Sequence, residues 1–316
     1  MPEGHVIHRM ASAYDRAFAG TITRSSSPQG RFSDGAASID GLELVCAEAV
    51  GKHFFAHFGP RTIHVHLGMA GRISVHHTTD ATERLGEKIT LDPQTTPAFS
   101  GETDRPVLGA IRWRLENDTA WADLSGPAIC EILDSDGFNK VLKRLGPDPL
   151  REDADPDRAW NLVRKSKQPI ALLLMDQKIF AGVGNIFRAE ALYRAGLDPM
   201  LPGLALKKSE FDDLWTDLVQ LMRYAVNHGQ IDTVRPEHTP EAMNRPPRED
   251  PHGGEVYVYR RAEQACYICH TQVRSTVIGN RNLFWCPVCQ PLSRRRPAVE
   301  ARKKLREQSL LGRLAH

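Results

Sequence analysis

Four cysteines near the C-terminus constrain this chain more than any other feature. They stand as Cys266-x2-Cys269 and, after sixteen intervening residues, Cys286-x2-Cys289. Each pair has the spacing of a tight knuckle, and two such knuckles bring four thiolates to the corners of a tetrahedron. The intervening "HTQVRSTVIGNRNLFW" alternates as two strands do, and Gly279-Asn280 supplies a turn between them. The segment therefore reads as a β-hairpin closed at its base by one structural zinc ion. Disulfides are the competing use of four cysteines, and a reducing compartment disfavours them. His270 is an alternative ligand that the regular spacing makes unnecessary. The other two cysteines, Cys46 and Cys130, are expected to be isolated, buried thiols.

A 316-residue chain is long enough for about two domains and a small module. The net charge of +2 does not by itself select a nucleic-acid partner. Basic residues gather in the tail, from Arg294-Arg295-Arg296 through Lys303-Lys304 to Arg313, where a solvated appendage is the ordinary reading. The N-terminus lacks the apolar core of a signal peptide, since His5, His8 and Arg9 interrupt it. No apolar run approaches membrane-spanning length, so the expected location is cytoplasmic.

Along the chain, Val6, Met10, Ala13, Ala17 and Phe18 keep helical spacing, and Gly20 is a natural stop. From Thr21 to about Leu145 the pattern is mainly β: "RTIHVHLGMAGRISV" alternates, as does "GAIRWRLENDTAWADL", with a turn at Glu116-Asn117-Asp118. The polar stretch from residue 76 to 106 reads as a long, mobile loop. "LGPDPLREDADPD" marks a linker, and helices follow: "DRAWNLVRKS", "PIALLLMDQKIFAG" ending near Phe180, "NIFRAEALYRAG" and "KSEFDDLWTDLVQLMRYAVNHG". Around "RPEHTPEAMNRPPREDPHGG" regular structure breaks again. The Gly182-x-Gly184-Asn185 junction offers backbone amides at a helix start, a geometry that suits phosphate. Most such junctions only connect helices. Sharing a chain with a hairpin that bears Arg274 and Arg281 tips this one towards nucleic acid.

The opening "MPEGH" has two readings. Proline suits a helix's first turn and a carboxylate suits the positive end of its dipole, so Pro2 and Glu3 would merely start the helix. The alternative depends on the whole set of motifs: "MPEG", "GKHFFAHF", "HLGMAG", "LGPDPL", "LLMDQKIFAGVGNIFRAEALY" and the hairpin ending "FWCPVCQ". Together these resemble the formamidopyrimidine-DNA glycosylase/endonuclease VIII family, nearly end to end. "MPEG", and the lack of an Asp-Pro-Arg-Arg-Phe-Gly-like stretch, point to the endonuclease VIII branch.

The resemblance implies a multidomain α+β protein. An N-terminal helix and β-sandwich would occupy 1–145, a linker and helix–two-turns–helix domain 146–250, the zinc-finger β-hairpin 251–290, and a basic tail 291–316. It implies a monomeric base-excision repair enzyme, acting on damaged double-stranded DNA, that removes oxidised bases, pyrimidines in this branch, and then cleaves the strand by β/δ-elimination. Removal of Met1 would expose the Pro2 amine as nucleophile, and Glu3 would transfer protons at the sugar. Lys52 would bind phosphate beside the reacting nucleotide and assist elimination, although a lone strand lysine is ordinarily a solvated charge. Asn185 and Arg281 would grip phosphates flanking the lesion, with Arg281 also serving δ-elimination, and Arg144 would contact DNA. Met69 would fill the gap left by the extruded nucleotide; continued alternation through Leu67 would instead bury it. Zn²⁺ on Cys266, Cys269, Cys286 and Cys289 is the one implied cofactor.

Two departures stand out. His5 and Val6 replace the usual continuation and remove a second glutamate, and Gly68 stands where endonuclease VIII often has glutamine. Two other functions remain open on these residues: a non-catalytic damaged-DNA or DNA-structure binding protein on the same fold, and a zinc-ribbon protein that binds a partner. Pro2-Glu3-Gly4 and Lys52 favour the enzyme, because a pure binder does not require that N-terminus.

Overall fold

The computed structural model describes residues 2–77, 82–85, 107, 109–250 and 254–293. They form two compact units, the first running to Leu145 and the second beginning at Gly146.

The first unit opens with helix α1 (Gly4–Phe18), whose Ile7, Met10, Tyr14 and Phe18 are buried along one stripe. Four of its strands fall in the two stretches read as alternating, β4 (Arg61–His66), β5 (Arg72–His77), β7 (Ile111–Glu116) and β8 (Ala120–Ser125), and β1 (Arg24–Ser26), β2 (Cys46–Val50) and β3 (His53–Phe58) lie in the region read as mainly β. With β6 (Thr82–Leu85) and β9 (Ile129–Leu133) they make two antiparallel sheets, ordered β1-β7-β8-β5-β6 and β2-β3-β4-β9. Phe54, Ala56, Ile63 and Val65 of one sheet and Val75, Trp113, Leu115 and Leu124 of the other share a single core with α1. A β-sandwich results because β3, β4, β5, β7 and β8 turn alternate apolar residues towards that core. Two short helices, α2 (Ser33–Ala37) and α3 (Ser135–Leu142), interrupt what the sequence pattern presents as β.

Part of the stretch expected to be a long loop is regular. His76 and His77 end β5, and residues 82–85 pair with it as β6, Ile73 opposite Leu85. Residues 78–81 and 86–106 lie outside the described residues, as does the basic tail from Arg294. The expectation that Cys46 and Cys130 are buried also fails. Cys46 is exposed at the start of β2, and Cys130 is half-buried on β9, where desolvation raises its thiol to about 12.

The second unit contains α4 (Pro156–Val163), α5 (Ile170–Leu173), α6 (Asn185–Arg194) and α7 (Lys208–His228) around one apolar core. The helix expected to run to Phe180 stops at Leu173. Gln177 explains the early end: its Oε1 accepts from Gly182 N at 3.0 Å, and its Nε2 donates to Met175 O at 3.1 Å and Val183 O at 2.9 Å. That amide satisfies the turn's backbone in place of a continued helical ladder. α7 ends where Gly229 takes the left-handed conformation, φ 75°.

β10 (Arg274–Ile278) and β11 (Arg281–Trp285) form the hairpin, with Arg274 opposite Trp285 and Ile278 opposite Arg281. The turn residues Gly279 and Asn280 have φ 56° and 58°, the pair of left-handed conformations that a two-residue hairpin turn demands. Leu283 belongs to the helical core, with Ile278 and Trp285 packed against it.

Candidate functional site

In the first unit, Pro2 and Glu3 are buried, Glu3 to 1% exposure. Glu3 occupies the N-cap position of α1, yet its side chain makes no capping bond to the helix amides. Pro2 lies ahead of that cap rather than within the first turn. Glu3 thus stands at the positive end of the helix dipole, as a helix start would have it, but without the capping bond, and Pro2 falls outside the first turn. His5, the second residue of α1, is 6% exposed, and burial, with help from Arg9 and His8, pushes it down to about 3. A neutral imidazole thus stands near Glu3 at ordinary pH.

α1 packs against β2 and β3, the two strands joined by the turn that carries half-buried Lys52. Met69 is 68% exposed. Alternation through Leu67 would have buried it, but β4 ends at His66, Gly68 takes φ 67°, and the tight turn that follows turns Met69 outward. Arg144, after α3, is exposed, with its Nε donating to Lys140 O at 3.2 Å.

The outer face of the β2-β3-β4-β9 sheet carries a hydrogen-bonded chain that the sequence reading did not single out. His64 Nδ1 donates to Glu131 Oε1 at 2.9 Å, and His64 Nε2 meets His53 Nδ1 at 2.8 Å. His53 adjoins Lys52 in sequence, and the His66 ring lies 5.0 Å from its own. The only signal in the sequence is the triplet His64-Val65-His66 on one strand beside Lys52-His53 on its neighbour.

In the second unit, Asn185 opens α6 and is 8% exposed. Its Nδ2 donates to Asn282 O on the hairpin at 3.0 Å, and fully buried Arg188 donates to the same carbonyl at 2.8 Å and to Asn185 Oδ1. The side chain read as a phosphate grip thus also ties the helix start to the hairpin, one residue from half-buried Arg281.

The four cysteine sulfurs lie within 4.8 Å of one another, with Cys269–Cys286 at 3.3 Å and Cys266–Cys289 at 3.8 Å. A tetrahedral zinc with Zn–S bonds of about 2.3 Å needs sulfurs about 3.8 Å apart, so this donor set suits that ion. Tyr193 OH lies 3.1 Å from Cys266 Sγ, and Cys289 N donates to Cys286 Sγ at 3.5 Å. His270 stays outside the cluster in a left-handed turn, φ 59°. Buried Glu190 of α6 holds the strand of chain leading to the hairpin: it accepts from Thr233 Oγ1 at 2.6 Å and from the amides of Tyr257, Val258 and Tyr259 at 2.7–2.8 Å.

Among the described residues no helix is long and apolar enough to cross a membrane. Residues 1–105 match the formamidopyrimidine-DNA glycosylase N-terminal domain, and residues 145–236 match the formamidopyrimidine-DNA glycosylase H2TH domain. The chain is 42% identical over 294 residues to Endonuclease 8 1 of Mycobacterium tuberculosis, covering 92% of this chain and all of that protein. It is 30% identical over 297 residues to a DNA-(apurinic or apyrimidinic site) lyase of Mycolicibacterium smegmatis, covering 93% of this chain and all of that one. In fold it is similar to Lactococcus lactis Fpg in a complex with abasic-site DNA, with a TM-score of 0.67 at 18% identity over 91% of this chain and 99% of that one. With both family domains in order and close relatives matched over their full length, the chain belongs to the formamidopyrimidine-DNA glycosylase/endonuclease VIII family.

Proposed function

We propose that the protein is a base-excision repair DNA glycosylase and AP lyase that removes oxidised pyrimidines through a covalent intermediate on Pro2. The observation that carries this reading is the N-terminal pair: Glu3 is 1% exposed and does not cap the helix it precedes. A carboxylate held out of water without that structural use is suited to proton transfer at a reacting sugar.

Removal of Met1 leaves Pro2 with a free secondary amine, and a free α-amino group, with a pKa of about 7.7–8, is unprotonated in a useful fraction near neutrality. The lone pair of the Pro2 amine attacks C1′ of the damaged nucleotide, the base departs with the bonding electrons, and the amine gives up its N–H proton. Glu3 then delivers a proton to O4′ as the C1′–O4′ bond breaks, and the ring-opened sugar is left as an iminium that acidifies the C2′ protons. Loss of one expels the 3′ phosphate, and a second elimination releases the 5′ phosphate. Lys52, Arg144, Asn185 and Arg281 would bind backbone phosphates, Lys52 and Arg281 assisting the two eliminations. Exposed Met69 would occupy the space of the extruded nucleotide, offsetting part of an unstacking cost of a few kcal/mol.

One Zn²⁺ on Cys266, Cys269, Cys286 and Cys289 would close the hairpin. All four positions are thiolates, so its chemistry there is structural, fixing the strands that carry Arg281.

Borohydride trapping tests the proposal, using Met1-processed protein and duplexes that carry thymine glycol, 8-oxoguanine or an abasic site. Trapping on thymine glycol and abasic DNA, above that on 8-oxoguanine, is expected. Binding of these duplexes with no trapped adduct would leave a non-catalytic damage-binding protein.

A further inference from the structure

The histidine chain on the outer sheet face has no part in the chemistry above, and its geometry fixes a proton inventory. Glu131 is half-exposed and pairs across β4–β9 with His64, which is almost wholly buried. The carboxylate accepts, so His64 Nδ1 carries a proton and the lone pair of neutral His64 lies on Nε2. That lone pair in turn takes the Nδ1 proton of His53, 2.8 Å away. Neutral His53 is thereby held as a single tautomer whose lone pair is on Nε2. Phe55 stacks on both rings, 6.4 Å from His53 and 5.0 Å from His64, which restricts the chain to one arrangement.

Charged groups reach His53 from β4, from the residue after α3 and from the β2–β3 turn. Its protonation is opposed first by burial and then by His64 and His66 of β4, Arg144 after α3 and Lys52 in the β2–β3 turn, which together hold it down to about 3. His66 is lowered by burial and by the same neighbours, His64 and Lys52. The one negative group on the chain is Glu131, at its far end. A strong anion brought to Lys52 and Arg144 cancels the repulsion, and by accepting a hydrogen bond from the protonated imidazole it also offsets the burial cost that is the larger cause of the neutral state.

We propose that Glu131–His64–His53 is a proton-loaded phosphate contact. When a DNA phosphodiester docks beside Lys52 and Arg144, His53 takes one proton from solvent at Nε2 and donates it to a phosphate oxygen. The new charge is shared through His64 towards the Glu131 carboxylate. His53 is then a DNA-contacting residue, while His64 and Glu131 are positioning residues. Binding adds a third cation to a patch that carries two in the free protein. The inference rests on the DNA-repair reading and adds to it a consequence that phosphate binding by permanent cations lacks: DNA binding takes up a proton and strengthens as pH falls.

The test is calorimetric titration of a duplex bearing a tetrahydrofuran abasic analogue, at pH 6 and fixed ionic strength, in two buffers of different ionisation enthalpy. The difference in observed heat gives the protons taken up. Wild type should take up close to one proton, and its affinity should rise by up to about tenfold per pH unit as pH is lowered. His53→Gln should bind with little uptake and a flatter pH profile. Glu131→Gln, a change at a half-exposed side chain that leaves the fold intact, should reduce uptake because the imidazolium loses its distal counter-charge. A merely structural role for the chain would change affinity or stability without changing the proton number. The proposal is overturned if wild type takes up no proton, if His53→Gln takes up as many as wild type, or if uptake is lost in His66→Gln while His53→Gln keeps it. Failure of the wild type to bind the duplex at any pH would remove the DNA-repair reading itself, and this proposal with it.

Discussion

Among the described residues each unit of the protein buries one glutamate almost completely, and the two are held in different ways. Glu190 in the helical unit is saturated: a hydroxyl and three consecutive backbone amides donate to its two oxygens. Glu3 in the sandwich unit sits at a helix N-cap, where a carboxylate ordinarily accepts from helix amides, and does not make that bond. Burial alone therefore says little about role. A buried carboxylate with a full set of fixed donors is architecture, since any change in its protonation would break several bonds together. Glu3, at 1% exposure, is not fixed by the helix amides in that way.

Substituting the two residues separates these uses. Glu3→Gln keeps size and shape but removes the titrating group, so base excision should fall about 10²–10⁴-fold while the urea midpoint stays near wild type. A large stability loss with retained excision would make Glu3 architectural after all. Glu190→Gln should behave in the reverse way. It turns an amide NH₂ towards backbone N–H donors and should cost on the order of 3 kcal/mol of stability, read from denaturant unfolding. Zinc affinity should fall with it, because the segment Glu190 holds leads directly into the first knuckle.

Within the hairpin, Arg281→Ala should weaken abasic-DNA binding by about 1.5–3 kcal/mol while zinc content stays at one per chain. Cys286→Ser should lose both metal and affinity, since three thiolates no longer close the strands. Unchanged affinity in Arg281→Ala would make the hairpin a clasp rather than a DNA-binding finger. A smaller, pH-dependent effect distinguishes the sandwich unit. His5 is held neutral down to about 3, whereas in the unfolded chain it protonates near 6.5. The unfolded state therefore binds more protons between these values, and stability falls as pH drops below about 6.5. At pH 5 the contribution is about 2 kcal/mol. His5→Gln should flatten that acid limb, which denaturant unfolding at pH 5 and pH 7.5 would measure.

The features legible in the sequence are those whose causes are local. Cysteine spacing, strand alternation and the Gly279-Asn280 turn fix the hairpin, and apolar spacing fixes α1, because each depends on residues a few positions apart. The features that were missed depend on distant partners. Glu190 meets Tyr259 across 69 residues, and His64 meets Glu131 across 67, a pairing that exists only once β9 joins β4. The early end of α5 depends on a side chain, Gln177, that replaces backbone bonds, and helical periodicity carries no trace of that. Met69 was ambiguous because alternation applies only while the strand lasts, and a left-handed Gly68 ends it. Lys52, Arg144 and Arg281 were legible only through family resemblance, since an isolated basic residue on a strand or turn has no pattern of its own.

The central claim is that the N-terminal pair is chemical equipment, with the Pro2 amine as nucleophile. It is tested most directly by borohydride trapping on abasic-site DNA with one preparation divided in two, one half keeping a removable N-terminal tag and the other freed to begin at Pro2. The freed protein should form a covalent adduct, and the tagged protein should form none while still binding the duplex. Equal trapping by both halves would contradict the claim and move the nucleophile elsewhere in the chain.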